Sequence, residues 1–232
     1  IISACASKDQ QLLECICPRM PVILINRESE HFSTVCTDND EVGLMAATKI
    51  RQKGYTEAAI FASRHSYFAT SQRVQAFISS CERLGIETDE KYILKGSSTR
   101  NGGYEIGKQY AALKEPPKMI FCDSDAIALG ALRAFHEEGI SVPGDAELLS
   151  IGMLDPEAAS YYVPSLSVVE MPNKEIGQQV LRLMRKKILN NDMSSEHVKV
   201  HAKLMLRESF SYSICHLLFF AGAVNISSCL FL

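Results

Sequence analysis

Residues 139–169, GISVPGDAELLSIGMLDPEAASYYVPSLSVV, decide how this chain folds. Gly139 ends a helical stretch, and Pro143-Gly144-Asp145 supplies a turn. Leu148–Gly152 is an apolar run short enough for a buried strand. A short helix over Pro156–Tyr162 and a second extended run, Leu166–Val169, complete the stretch. Two strands joined by so short a connection read as a chain leaving one lobe of a two-lobed α/β protein for the other.

Strand and helix alternate through the rest of the sequence. Ile1–Ala4 reads as the end of a strand and Asp9–Arg19 as a helix closed by Pro18. Pro21–Ile25 is a continuous apolar run rich in β-branched residues, the mark of a strand buried on both faces. Ser33–Thr37 is extended. Asn39–Lys53 carries helical spacing at Val42, Met45, Ala46 and Ile50, and Gly54 closes it. Ala58–Phe61, Tyr92–Lys95 and Lys118–Cys122 read as strands, and Thr70–Leu84, Gly102–Leu113 and Ser124–Glu138 as the helices between them. A helix over Asn173–Leu189 and one last strand within His197–Leu206 follow. Such alternation calls for parallel sheets covered on both faces.

The fold expected is therefore α/β, with two Rossmann-like lobes built on parallel sheets, the first of them incomplete. Residues 1–35 and 170–197 are assigned to a partial N-terminal lobe, and 36–169 and 198–209 to the C-terminal lobe. A chain that opens at Ile1, inside a strand, reads as a fragment. Residues 210–232 stand apart: after Phe210 the sequence SYSICHLLFFAGAVNISSCLFL has no Asp, Glu, Lys or Arg. It approaches the length that spans a bilayer, about 20 residues. The readings are a non-native extension, a membrane anchor, or a segment packing on the domain or a partner, and the first is preferred, so no membrane is expected among the partners.

Composition excludes several classes. The 232 residues carry a net charge of −3 and 47% hydrophobic residues, enough for one large domain or two small lobes and without the basic footprint of a nucleic-acid surface. Eight cysteines show neither C-x-x-C nor metal-ligand spacing and lie mainly in apolar contexts, as reduced thiols of a cytoplasmic protein do. No G-x-S-x-G, P-loop, G-x-G-x-x-G or H-E-x-x-H motif occurs, so no enzyme, cofactor or metal is expected.

Doubly wound sheets bind ligands at the carboxyl ends of their strands. The residues just after the apolar runs are Asn26-Arg27, Ser63–Thr70 leading into the helix with Arg73, Asp123-Ser124-Asp125, and Met153-Leu154-Asp155. They combine carboxylates, an arginine, an amide and a hydroxyl, with Tyr67 or Phe68 available to stack, a set suited to a polar small molecule. Arg73 offers a rigid fork for two oxygens or a carboxylate, or else an ion pair with Asp125 or Asp155. Asp125 and Asp155 are ligand contacts or helix caps. Asn26 contacts a ligand or closes its turn, and Ser124 is a small polar neighbour.

The ordered motifs resemble the effector regions of lactose-repressor (LacI/GalR-type) transcription regulators. The 139–169 stretch follows that family's G-[IL]-x-V-P-x-D-[IV]-x-[VI]-x-G-[FY]-D-[DN] leading to P-x-L-[TS]-[TS]-[IV]. V-x-T-D-N-x-x-x-G at Val35–Gly43, K-G-Y at 53–55, R-x-x-A-F at 73–77 and F-C-D-S-D-A-I-A-L-G at 121–130 match in order and spacing over residues 1–209. The resemblance implies a periplasmic-binding-protein-like fold and a sugar or other polar metabolite between the lobes, held by Asn26, Phe68, Arg73, Ser124, Asp125 and Asp155. It also implies operator DNA read through a helix-turn-helix absent from this chain, and a homodimer in which Leu129, Tyr161 and Tyr162 meet the partner; those tyrosines otherwise pack within the chain. Leu154 stands where many members have a carboxylate, and Ser124 where they have an amide, so two sugar-type hydrogen-bonding groups are missing. A solute-binding protein of the same fold is the alternative.

Overall fold

The computed structural model describes residues 1–3, 7–16, 20–64, 68–153 and 157–210. Tyr67, Leu154, Asp155 and the 211–232 tail, to which the sequence assigns roles above, lie outside the described residues.

Two sheets organise the chain. The first has four parallel strands in the order β1 (Ile2–Ser3), β2 (Ile23–Ile25), β3 (Ser33–Thr37) and β9 (His197–Val200). The second has six. Its order is β10 (Lys203–Met205), β8 (Ser167–Glu170), β7 (Glu147–Gly152), β6 (Met119–Cys122), β4 (Ala59–Ser63) and β5 (Ile93–Gly96), all parallel except the edge strand β10.

The inner strands of the second sheet are buried on both faces because helices cover both. Every residue of β4 and β6 is buried. On one face lie α2 (Asn39–Gln52) and α3 (Phe68–Leu84), where Phe77 stacks on Phe121 with ring centroids 4.0 Å apart. On the other lie α4 (Arg100–Ala111) and α5 (Asp125–Glu138), and Phe61, Tyr110 and Phe135 pack there edge to face or tilted. Local chemistry sets the helix ends. Asp38 caps α2 by accepting from the Glu41 N–H, and Gly139 ends α5 in the left-handed conformation at φ 70°. Gly43 lets α2 cross directly over α3, since a Cβ there would lie 2.4 Å from the Ala76 carbonyl carbon.

In the first sheet, α6 (Asn173–Leu189) presents Ile176, Val180 and Leu183 to Ile23, Val35 and Val200. The remaining described helix, α1 (Ser7–Ile16), leaves Leu12 and Ile16 exposed, and α6 leaves Leu181, Ile188 and Leu189 exposed.

The pairing corrects one expectation. The single last strand expected within 197–206 is two strands in different sheets: β9 runs parallel to β3, whereas β10 runs antiparallel to β8. The divisions expected at 35/36 and 197/198 also fall inside β3 and β9. These two strands pair from Thr34 opposite His197 to Thr37 opposite Val200, so the ladder holds both in the first sheet for their full length. The helix expected over Pro156–Tyr162 is, within the described residues, a short 3-10 turn at Ala158–Ser160.

Candidate functional site

The carboxyl ends of β4, β6 and β7 meet the first turns of α3 and α5, and the polar residues between them are buried. Arg73, at the inward side of α3, is only 2% exposed. Its Nη2 donates to Thr70 Oγ1 at 3.1 Å and lies 3.7 Å from the Met153 sulfur, while Nε finds no acceptor among the described residues. No described carboxylate forms an ion pair with Arg73. Burial pulls the guanidinium down to about 10, against the attraction of Asp123. Even so the side chain is a cation at neutral pH.

Asp123 follows β6 and is equally buried. Its Oδ2 accepts from the Ser63 N–H at 2.6 Å, which ties the ends of β4 and β6, while Oδ1 has no partner among the described residues. Burial pushes this carboxyl above its ordinary range, opposed by donation from Ser63 and Ser124 and by the charge of Arg73. The sequence reading passed over Asp123 in favour of its neighbours. A signal was present: a carboxylate directly after the fully apolar MIFC has nowhere to go but inside.

The other predicted residues divide. Ser124 is the helix cap of α5, accepting from the Ile127 N–H. Asp125 instead joins two elements, its Oδ2 accepting from the Met153 N–H at 3.0 Å, so it holds the end of β7 to the start of α5. Asn26 closes its turn: it sits at φ 52°, its N–H donates to Val35, and its Oδ1 accepts from the Thr37 N–H at 3.1 Å. Phe68 opens α3, 38% exposed, and the Arg27 guanidinium lies 4.8 Å over its ring. That contact joins the loop after β2 in the first sheet to the start of α3 beside the second. The structure thus gathers Arg73, Ser124 and Asp125 at one end of the second sheet, with Phe68 reached from the first sheet through Arg27.

Asn26 lines a different space. A cavity of about 810 Å³ lies between the uncovered face of β3 and β9, including Thr34, Cys36, His197 and Lys199, and the flank of α3 that carries Gln72, Gln75 and Arg83. The polar positions 34, 36, 197 and 199 alternate with Val35 and Val198, a period-two signal that the sequence displays. Of the expected interface residues, Tyr161 is 75% exposed and Leu129 half-buried, while Tyr162 packs against the core on the α4 and α5 side.

Residues 33–210 match the model of the periplasmic-binding-protein-like domain family. The HTH-type transcriptional repressor PurR of Mannheimia succiniciproducens is 27% identical over 169 residues, covering 73% of this chain and 50% of that protein. The chain spans about half the length of the repressors it matches in this way. A crystal structure of a LacI family transcription regulator from Clostridium acetobutylicum is 31% identical, with a TM-score of 0.84 over 89% of this chain and 76% of that one. A LacI family regulator from Enterococcus faecium, crystallised with bound ribose, shares the fold at 19% identity, with a TM-score of 0.76 over the same shares of the two chains. Among the described residues no helix is long and apolar enough to cross a membrane. With the family model covering most of the chain and the two-sheet fold shared with a LacI regulator of 31% identity, this chain belongs to the LacI/GalR-type transcription regulators and carries their periplasmic-binding-protein-like effector-binding region.

Proposed function

We propose that these residues sense a small molecule between two lobes, one built on each sheet, and that the bound state is transmitted to an operator-reading helix-turn-helix in a cytoplasmic homodimer. The observation that carries this reading is Arg73. A buried guanidinium with no ion-pair partner among the described residues is costly, and it persists where a ligand or a function compensates it. It lies at the strand ends where doubly wound sheets take their ligands, on the helix whose first residue, Phe68, the Arg27 guanidinium reaches from the first sheet.

A ligand bridging the two sides changes their relative angle, and hinge closure is an established route from a pocket to a distant site. The net charge of −3 supports a division of labour in which this region senses and another part of the protein grips DNA. Tyr161 is 75% exposed, and with the half-buried Leu129 and Tyr162 it supplies the surface proposed for the homodimer contact. Asp155, which follows β7 in the sequence, joins the proposed ligand set.

The test uses the full-length protein and a DNA fragment from upstream of its own coding region. Fluorescence anisotropy of that fragment should respond to an effector found by thermal-shift screening. Arg73→Ala should abolish the response while DNA binding without effector persists. An Arg73→Ala protein whose effector-induced melting shift equals that of the parent would overturn the assignment.

A further inference from the structure

Asp123 uses one of its two oxygens for the backbone. Oδ2 accepts from the Ser63 N–H at 2.6 Å, while the buried Oδ1 has no partner among the described residues. Tying β4 to β6 in this way takes a single acceptor. An asparagine would accept from Ser63 equally well and would bury no charge, so the tie does not account for a carboxylate at this position.

The neighbouring charge is Arg73. It is as buried as Asp123, and its Nε likewise has no partner among the described residues. Each side chain bears on the titration of the other, yet the two form no direct ion pair. A buried donor and a buried acceptor thus stand apart beyond the ends of β4 and β6. What serves both at once is a group with a lone pair for the guanidinium and a proton for the carboxylate. Hydroxyls and primary amides carry both. A carboxylate or a phosphate would satisfy Arg73 but set its own charge against Asp123.

We infer that Asp123 is a specificity-determining residue of the effector site. The ligand group that accepts from Arg73 also donates to Asp123 Oδ1, so the site takes an uncharged hydroxyl or amide end and turns simple anions away. This rests on the effector-site reading above and adds to it a residue and a charge class.

The experiment titrates the full-length protein with two pairs of probes, each holding the body nearly fixed while the charge changes. D-glucose with D-glucuronate tests a hydroxyl, and benzamide with benzoate tests an amide. Melting midpoints and calorimetric affinities are read at neutral pH. In at least one pair the neutral probe should bind the parent roughly tenfold more tightly than its acid, the scale of one hydrogen bond to a charged group. Asp123→Asn keeps an acceptor for Ser63 and replaces the other oxygen with a donor. It should weaken that neutral probe by a similar factor and bring the acid to parity or better, whereas a merely structural Asp123 would leave the preference unmoved. Should the variant not fold, the parent's own ranking within each pair still decides. An acid that binds the parent as tightly as its neutral counterpart, an Asp123→Asn protein with the parent's preference, or no binding by either neutral probe would overturn the inference. If a probe's midpoint shift is then abolished by Arg73→Ala, the effector-site reading stands without it. A shift that survives Arg73→Ala removes both.

Discussion

The two sheets solve the same packing problem to different degrees. The second places helices on both faces, and its large apolar side chains, Phe61, Phe77, Phe121 and Phe135, are fully buried. The first is covered by α6 on one face, and apolar residues on α1 and on the outer side of α6 stay more than half exposed. The apolar stripe of α6 is wider than the sheet beneath it: Ile176, Val180 and Leu183 point in, while Leu181, Ile188 and Leu189 do not. An amphipathic helix whose apolar arc exceeds its contact carries surface for something else to cover. Cohesion in this chain therefore resides in the second sheet and its four helices.

The sharpest way to break that contrast is to open the better core. Phe77→Ala removes a ring stacked between α3 and β6 and should cost about 3–5 kcal/mol, read as a loss of denaturant midpoint. An equal loss from Leu189→Ala would show that the first sheet is packed as tightly as the second. Gly43→Ala comes next, because its Cβ would meet backbone of Ala76 and Phe77 that has no rotamer to change. Overpacking of this kind should cost about 1–3 kcal/mol. An unchanged midpoint would mean that α2 and α3 are free to move apart.

The loop after α6 makes a smaller, pH-dependent contribution to the first sheet. Ser194 donates to Asp192, and the buried Lys187 lies 3.4 Å from its Oδ2. Donation by Ser194, then the charge of Lys187, holds the Asp192 carboxyl down at about 2. A depressed folded-state value stabilises above the unfolded value of about 4, and that stabilisation fades as pH falls from there towards 2. Asp192→Asn should flatten the acid limb of stability in that window; parallel acid limbs for the two proteins would refute it. The smallest effect on stability belongs to Leu181→Lys with Leu189→Lys. Away from packed contacts these changes should stay within about 0.5 kcal/mol. They should still reduce self-association of residues 1–210 expressed alone, measured by light scattering, if the uncovered stripe is what drives it.

The candidate site was partly legible and partly not. Its location followed from the rule that ligands sit beyond strand carboxyl ends, so Arg73, Ser124 and Asp125 were found from the apolar runs before them. What each side chain does was not legible, because an Asp or Asn at such a place serves backbone and ligand equally well. Asn26 turned out to accept from Thr37, and Asp125 from Met153, across 11 and 28 residues of sequence. No local pattern encodes those partners. Asp123 shows the converse: its neighbours announced its burial, but only the packed structure placed the Ser63 N–H in front of it.

The sequence by itself determined the order of elements, the burial of the parallel strands and the helix ends. Those follow from short-range sterics, capping and the spacing of apolar residues, which act within a few residues of where they are written. Tertiary structure alone decided that β9 and β10 belong to different sheets, that β3 and β9 pair along their length, and that Arg73 is buried without a paired carboxylate among the described residues. Strand pairing and charge burial depend on which distant groups come together, and a run of residues carries no information about its partner until the whole chain has packed.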